Sequence, residues 1–316
     1  LGLVFTGVQA CTARIMDGKY KGQVVPAQNY LNGALDKDKL YQEGDYAIAM
    51  LHDNSRGVSV SLVDHDRRGV MGLLVGLLAL MIFIFGGASG LGAIVSLAFT
   101  CVLIWKAYIP LILQGMSPVW AALLLVLLMT VVIDVLVAGP NKRGLTAMLG
   151  AFGGTLITVV LAVLFTKLFK VDGGGLPYIV PLLSQSGMTF DMNQLFLSTM
   201  FIGNAGAVID LAMDIAAGCT EVVRHAPDIS RKELLKSGLN IGRMDTGTMT
   251  TTLVMAYAGS FLSMLLYFSA QGTPLVDILN YRFVAAEIMV TLVGCFGLIS
   301  AAPLTSLLAS RIMVKK

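Results

Sequence analysis

The chain has 316 residues, of which 56% are hydrophobic and 13% charged, with a net charge of +3. That balance excludes an ordinary soluble globule and fits a polytopic membrane protein. The small charge gives no reason to expect a nucleic-acid partner, and four scattered cysteines (Cys11, Cys101, Cys219, Cys295) suggest neither a disulfide framework nor a Cys-based metal site.

Residues 1–66 form the polar block of the sequence. The runs Thr12–Met16, Gln23–Pro26, Tyr46–Leu51 and Val58–Val63 alternate as strands do. Turn chemistry separates them at Asp17-Gly18, Lys21-Gly22, Glu43-Gly44-Asp45 and Asp53-Asn54-Ser55. The expectation is a small β-barrel or open sheet with a thin core. The start at Leu1-Gly2-Leu3, without Met, predicts a further N-terminal segment.

Residues 67–316 read as a transmembrane helical domain. Seven apolar spans are expected: Val70–Phe85, Leu91–Leu113, Val119–Val137, Leu145–Phe165, Leu195–Gly218, Thr246–Ser269 and Ala286–Ala309. An eighth helix would precede them and export the polar block. Lys106 and Pro110 predict a kink or a snorkelled end in the second span. The stretch Thr166–Gln194 reads as a loop or a re-entrant segment. With the polar block outside, ten Lys and Arg fall in the inner breaks, Lys315 and Lys316 among them. Four fall in the outer breaks, and Arg67 and Arg68 add two more outside. The positive-inside bias therefore predicts an extracytoplasmic β domain and a cytoplasmic C-terminus.

The fifth span carries the chemistry. On a helix, Gly203, Gly206, Ala207, Asp210, Asp214, Ala217 and Glu221 fall on one stripe within roughly 60° of Asp210. A carboxylate at membrane depth costs about 3 kcal/mol or more, so it is expected to face a bundle interior, a cavity or a partner. Asp210 and Asp214 are the candidate proton- or cation-binding pair, with Asn204, Thr248 and Thr252 as polar surroundings. The alternative is a pair of protonated carboxyls that only bond neighbouring helices. The Thr hydroxyls have a bland reading too, bonding back to their own helix. Oxygen ligands suit protons or a hard cation, so a bound cation is left open and no other cofactor is expected.

Secondary candidates are Glu221, Arg243, Asp245 and Asp134, the last expected to snorkel into an ion pair with Lys142 or Arg143. Glu287 reads as a solvated cap. Ser230 and Glu233 fit a capping box that starts a short amphipathic helix. Gly203, Gly206, Ala207, Gly242 and Gly247 are expected to let helices pack closely. No Walker loop, no nucleophile with a base and no HExxH pattern is present, so no enzymatic activity is expected.

Two motifs carry a resemblance. Gly203-x-x-Gly206-Ala207-x-x-Asp210-x-Ala212-Met213-x-Ile215-Ala216 is the first. Gly242-Arg243-x-x-x-Gly247-Thr248-Met249-x-x-Thr252-Leu253-x-x-Ala256-Tyr257-x-Gly259 is the second. With Lys142-Arg143 and the glycine-rich span after it, they resemble the bacterial YibE/F-like membrane proteins. The resemblance implies a bacterial cytoplasmic (inner) membrane protein with a leading helix. It implies no settled activity. Across the last three spans the acid and Thr-Thr pattern is also similar to the proton-relay region of SecD/SecF and the resistance–nodulation–division exporters.

The function expected is a secondary transporter or proton-coupled export component. Its partners would be the lipid bilayer and protons or small cations, with a homo-oligomer left open. The rival is a non-transporting membrane scaffold whose outer β domain binds a partner or envelope ligand.

Overall fold

A computed structural model describes residues 4–35, 37–54, 57–186 and 191–314. Leu1-Gly2-Leu3, Ser55 of the expected hairpin turn, residues 187–190 of the expected loop, and Lys315 and Lys316 lie outside the described residues. The chain divides into two compact units, Leu1–Met81 and Ile82–Lys316.

The first unit holds four strands: β1 Thr6–Arg14, β2 Val24–Asn32, β3 Ala47–Asn54 and β4 Gly57–His65. They form one sheet in the order β1-β2-β4-β3. β1 and β2 are antiparallel, as are β3 and β4, while β2 and β4 run parallel with Ala27 opposite Val60. Among the described residues the sheet is open rather than a barrel. Alternation on β2 buries Val25, Ala27 and Asn29, and Val60 of β4 completes a small core. The first two strands are longer than the apolar runs suggest. Polar positions extend them by pairing: Asn29 donates to Gln9 Oε1 at 3.1 Å across the β1–β2 pair. Asn29 also donates to the Lys39 carbonyl at 2.6 Å, and Gln9 Nε2 to the Tyr41 carbonyl at 2.8 Å. These bonds hold the long β2–β3 connection on the sheet, where Tyr41 stacks on His65. Asp64 pairs with Lys39 and Arg67, and Asp66 with Arg68.

The helices are α1 Arg68–Gly87, α2 Ser89–Leu113, α3 Pro118–Ala138, α4 Lys142–Phe169, α5 Ile179–Ser186, α6 Met192–His225, α7 Arg231–Ser260, α8 Leu262–Ala270, α9 Leu275–Asn280 and α10 Arg282–Ile312. Among the described residues, six are long and apolar enough to cross a membrane: α1, α2, α3, α4, α6 and α10. The pair α7 and α8, bent by 61° at Phe261, would make a seventh. α1 and α2 break at Gly87, whose φ of 52° and ψ of −127° suit glycine alone. In α2, the turn Ile104–Tyr108 widens to a π-helix just before Pro110. The Ile109 N–H reaches five residues back to the Ile104 carbonyl. Pro110 has no N–H of its own to continue the ordinary ladder.

The second unit packs through small residues. Gly150, Gly154 and Thr158 of α4 meet Gly297, Ala301 and Thr305 of α10 at four-residue spacing on both helices. On α7, Gly238 lies against Cys219 and Ser306, and Gly242 against Ile215 and Ala302. α6 thus runs antiparallel beside α7 and parallel beside α10. The stretch Thr166–Gln194 forms a glycine turn, Gly173–Gly175, followed by α5. Asp172 caps that turn and forms an ion pair with Arg282 at the start of α10.

Candidate functional site

α6 begins where Asp191 accepts from the Asn193 and Gln194 N–H groups, and it runs on for 34 residues. At about 1.5 Å per residue that is roughly 51 Å, longer than a hydrocarbon core of about 30 Å. The expected break at Cys219–Asp245 is therefore mostly helix. α6 continues to His225, a short turn follows, and Ser230 caps α7 with the full capping box to Glu233. The helix that starts there does not stop as a short amphipathic piece. It continues unbroken to Ser260.

The packed face of α6 is mostly apolar, with Phe201, Val208, Leu211 and Ile215 almost fully buried. The acidic stripe lies on the other side. Gly203, Gly206, Asp210, Asp214 and Glu221 are exposed on the surface of the chain, and Ala207 and Ala217 are half-buried. The stripe does not face the core of its own chain. A Cβ on Gly206 or Gly247 would meet no atom within 4 Å, so the close packing expected at these two glycines is not made. The reason is geometric: α4 and α10 take the apolar face, about half a turn away. Gly203 and Gly242 do stand against neighbours, at Tyr257 and at Ala302 with Ile215.

α7 borders the stripe. Ile241 packs on Gly218 and Tyr257 on Gly203, so α7 runs antiparallel along the edge of the stripe. Asp214 interacts electrostatically with Asp210, with Asp245 and with Arg143 of α4. Thr248 Oγ1 donates to the Asp245 carbonyl and Thr252 Oγ1 to the Thr248 carbonyl, each at 3.0 Å. Both hydroxyl protons are thus committed to their own helix. The oxygen lone pairs stay free to accept from, or coordinate, a ligand. Glu221 pairs with Arg224 and His225 at the exposed end of α6. Arg243 is exposed, and no salt bridge joins it to Asp245 among the described residues. Nor do those residues include a group of three or more His, Cys, Asp and Glu placed to hold a metal ion.

Asn204 is not part of this surface. It is 1% exposed and lies on the packed face, with Nδ2 donating to the Met200 carbonyl at 3.0 Å and the Val290 carbonyl at 3.4 Å. Six residues from Asp210 means about 9 Å along the axis and roughly 120° around it. The Tyr257 hydroxyl donates to Asn204 Oδ1 at 3.5 Å, and half-buried Glu287 of α10 interacts electrostatically with Tyr257. Glu287 is therefore not the solvated cap expected. Sequence reasoning missed this second polar group. Its one signal was an aromatic hydroxyl, Tyr257, inside an otherwise small and apolar stretch.

Asp134 also departs from expectation. It is 1% exposed, and neither carboxyl oxygen has a hydrogen-bond partner. Lys142 at the start of α4 is exposed while Asp134 is buried, and among the described residues no salt bridge joins Asp134 to Lys142 or Arg143, so the expected ion pair does not form.

No curated protein and no solved structure matches the chain. Residues 74–315 match the model of the family described as YibE/F-like protein, which covers most of the sequence and both of the motifs around Asp210 and Thr248. The chain belongs to the YibE/F-like protein family.

Proposed function

We propose that the protein is a secondary transporter or proton-coupled export component of the bacterial cytoplasmic membrane, with its β unit outside and its C-terminus in the cytoplasm. Asp210 and Asp214 are the exchanging pair. The observation that carries this reading is their position: one turn apart, exposed, on a helix apolar enough to span a bilayer, beside the hydroxyl-rich face of α7. Carboxylates on such a surface are untenable against lipid. They require water, a cation, protons or a partner helix. Two carboxylates so close repel when both are charged, so a cation that enters displaces a proton. Thr248 and Thr252 supply neutral oxygens nearby. Arg143 and Asp245 tune the inner end of the stripe through their charge on Asp214.

The test is uptake by proteoliposomes with and without an imposed pH gradient, for wild type, Asp210→Asn and Asp214→Asn. Loss of gradient-driven movement in both variants, with the fold intact, is the expected result. Full activity in both would make the stripe structural and leave the scaffold as the better reading.

A further inference from the structure

The second unit holds a buried acid away from the exposed stripe of α6. We propose that Asp134 is a second proton-binding site, separate from the Asp210–Asp214 pair. Its carboxyl group is sealed from the surface and no protein group hydrogen-bonds either oxygen. A buried polar group without a partner is rare in native structures, and where one occurs it marks strain, chemistry or a bound species. A bare carboxylate in such surroundings costs several kcal/mol, whereas a proton neutralises it where it stands.

Asp134 lies near the end of α3, a helix that runs alongside α6. Ser117, at the start of α3, donates to the Gln194 side chain at the start of α6. Both helices run the same way from that contact. Asp134 lies as far along α3 as Leu211 does along α6. Ile133 packs against the same buried cluster that contains Leu211. Asp134 is thus buried beside the packed side of α6, while Asp210 stands on its exposed side.

Local structure sets this point apart. Asp134 opens a π-helical turn, Asp134–Ala138, that ends at Gly139 with a φ of 83°. Such turns are uncommon and cluster at functional sites. The charged groups on neighbouring elements are few. Lys142 and Arg143 begin α4, Asp210 and Asp214 stand on the far face of α6, and Lys106 of α2 is roughly 21 Å along its helix from Gly92, which abuts Leu136. None of them pairs with Asp134. Among the described residues no side chain hydrogen-bonds or ion-pairs with the carboxyl, so a proton is the species proposed to neutralise it. The Nε of Arg143, next to Gly144 that abuts Asp134, is likewise buried without a partner.

The experiment uses dicyclohexylcarbodiimide, which adds to protonated carboxyls in apolar sites. The full chain in proteoliposomes is treated across a range of pH, and the adduct is located by peptide mass spectrometry. Asp134 is expected to carry label at low pH and to lose it as pH rises, with no adduct there in Asp134→Asn. Asp210→Asn and Asp214→Asn should leave the Asp134 label in place, so this result stands or falls apart from the transport assay. Absence of label at Asp134 while Glu287 or Asp210 reacts would overturn the proposal. So would a label at Asp134 that is independent of pH, since the group then never gives up its proton. If Asp134→Asn fails to fold, Asp134→Leu supplies the blank.

Discussion

Gly154 of α4 and Gly297 of α10 stand face to face. A methyl group on Gly154 would lie 3.1 Å from the Gly297 carbonyl oxygen and 2.8 Å from the side chains of Ala301 and Val208. Close van der Waals contact between the two backbones holds the pair, as small residues at four-residue spacing allow. A side chain here forces the backbones apart. Gly154→Leu is expected to cost at least the roughly 1–3 kcal/mol of an overpacked core. Gly206→Leu, by contrast, meets open space and should melt near wild type. Thermal melting of the two purified variants in detergent checks both. Equal loss in both would mean that the stripe is packed against something after all, such as a second copy.

The β unit offers a pH test. The Arg68 side chain beside Asp66 and the Arg68 backbone N–H hold its carboxyl at about 2, below an ordinary 3.8. A depressed value in the folded state means that the charged form is favoured by folding. The contribution is complete above the ordinary value and lost as pH falls from there toward about 2. The group is exposed, so the effect is small and screened by salt. The Arg68 N–H donates to Asp66 Oδ1 at 3.1 Å. Its protection from hydrogen exchange should fall across that window, and in Asp66→Asn it should already be lower above the window and no longer fall across it. Unchanged protection in Asp66→Asn would contradict the assignment.

Topology is open to direct measurement. The excess of Lys and Arg in the inner breaks predicts that a reporter fused after Lys316 reads cytoplasmic and that a cysteine placed near Asp53 is labelled from outside. Finding both positions on one side would overturn the assignment of the spans.

How much of this was legible depends on what each signal measures. Apolar length alone marked most of the spans, and the gap between Val70–Phe85 and Leu91–Leu113 marked the break between α1 and α2. The length of α7 is hidden in the sequence because Arg231 to Arg243 is polar, so the helix that starts after Ser230 is expected to stop short of the next apolar span. A helix long enough to leave the bilayer has polar turns at its end, and the Ser230–Glu233 box showed only where it starts. Periodicity revealed the acidic stripe, but a period gives faces without saying which face a neighbour takes. That was decided by Gly150, Gly154 and Gly297, whose four-residue spacing with Thr158, Ala301 and Thr305 is visible in the sequence. Without a partner in view, it could not be assigned. Asn204 and Asp134 were misplaced for the same reason: both are polar, and both lie on packed faces.

The buried amide gives the sharpest test of the packing. Asn204 fills the space that a side chain at position 294 would need, and a Cβ on Gly294 would overlap its Oδ1. The amide cannot swing aside cheaply, because Nδ2 is committed to the Met200 and Val290 carbonyls. Gly294→Ala should therefore destabilise the α6–α10 contact by about 1–3 kcal/mol. Asn204→Ala alone should also cost stability, since it opens a void and removes the acceptor for Tyr257. Together the two changes exchange one occupant of the same space for another. The double variant should recover part of the sum, with a coupling of about 0.5–3 kcal/mol in a double-mutant cycle. Melting or denaturant unfolding of the four proteins measures it. Strictly additive losses would mean that Asn204 and Gly294 do not touch, and the polar group of Asn204, Tyr257 and Glu287 would have to be redrawn.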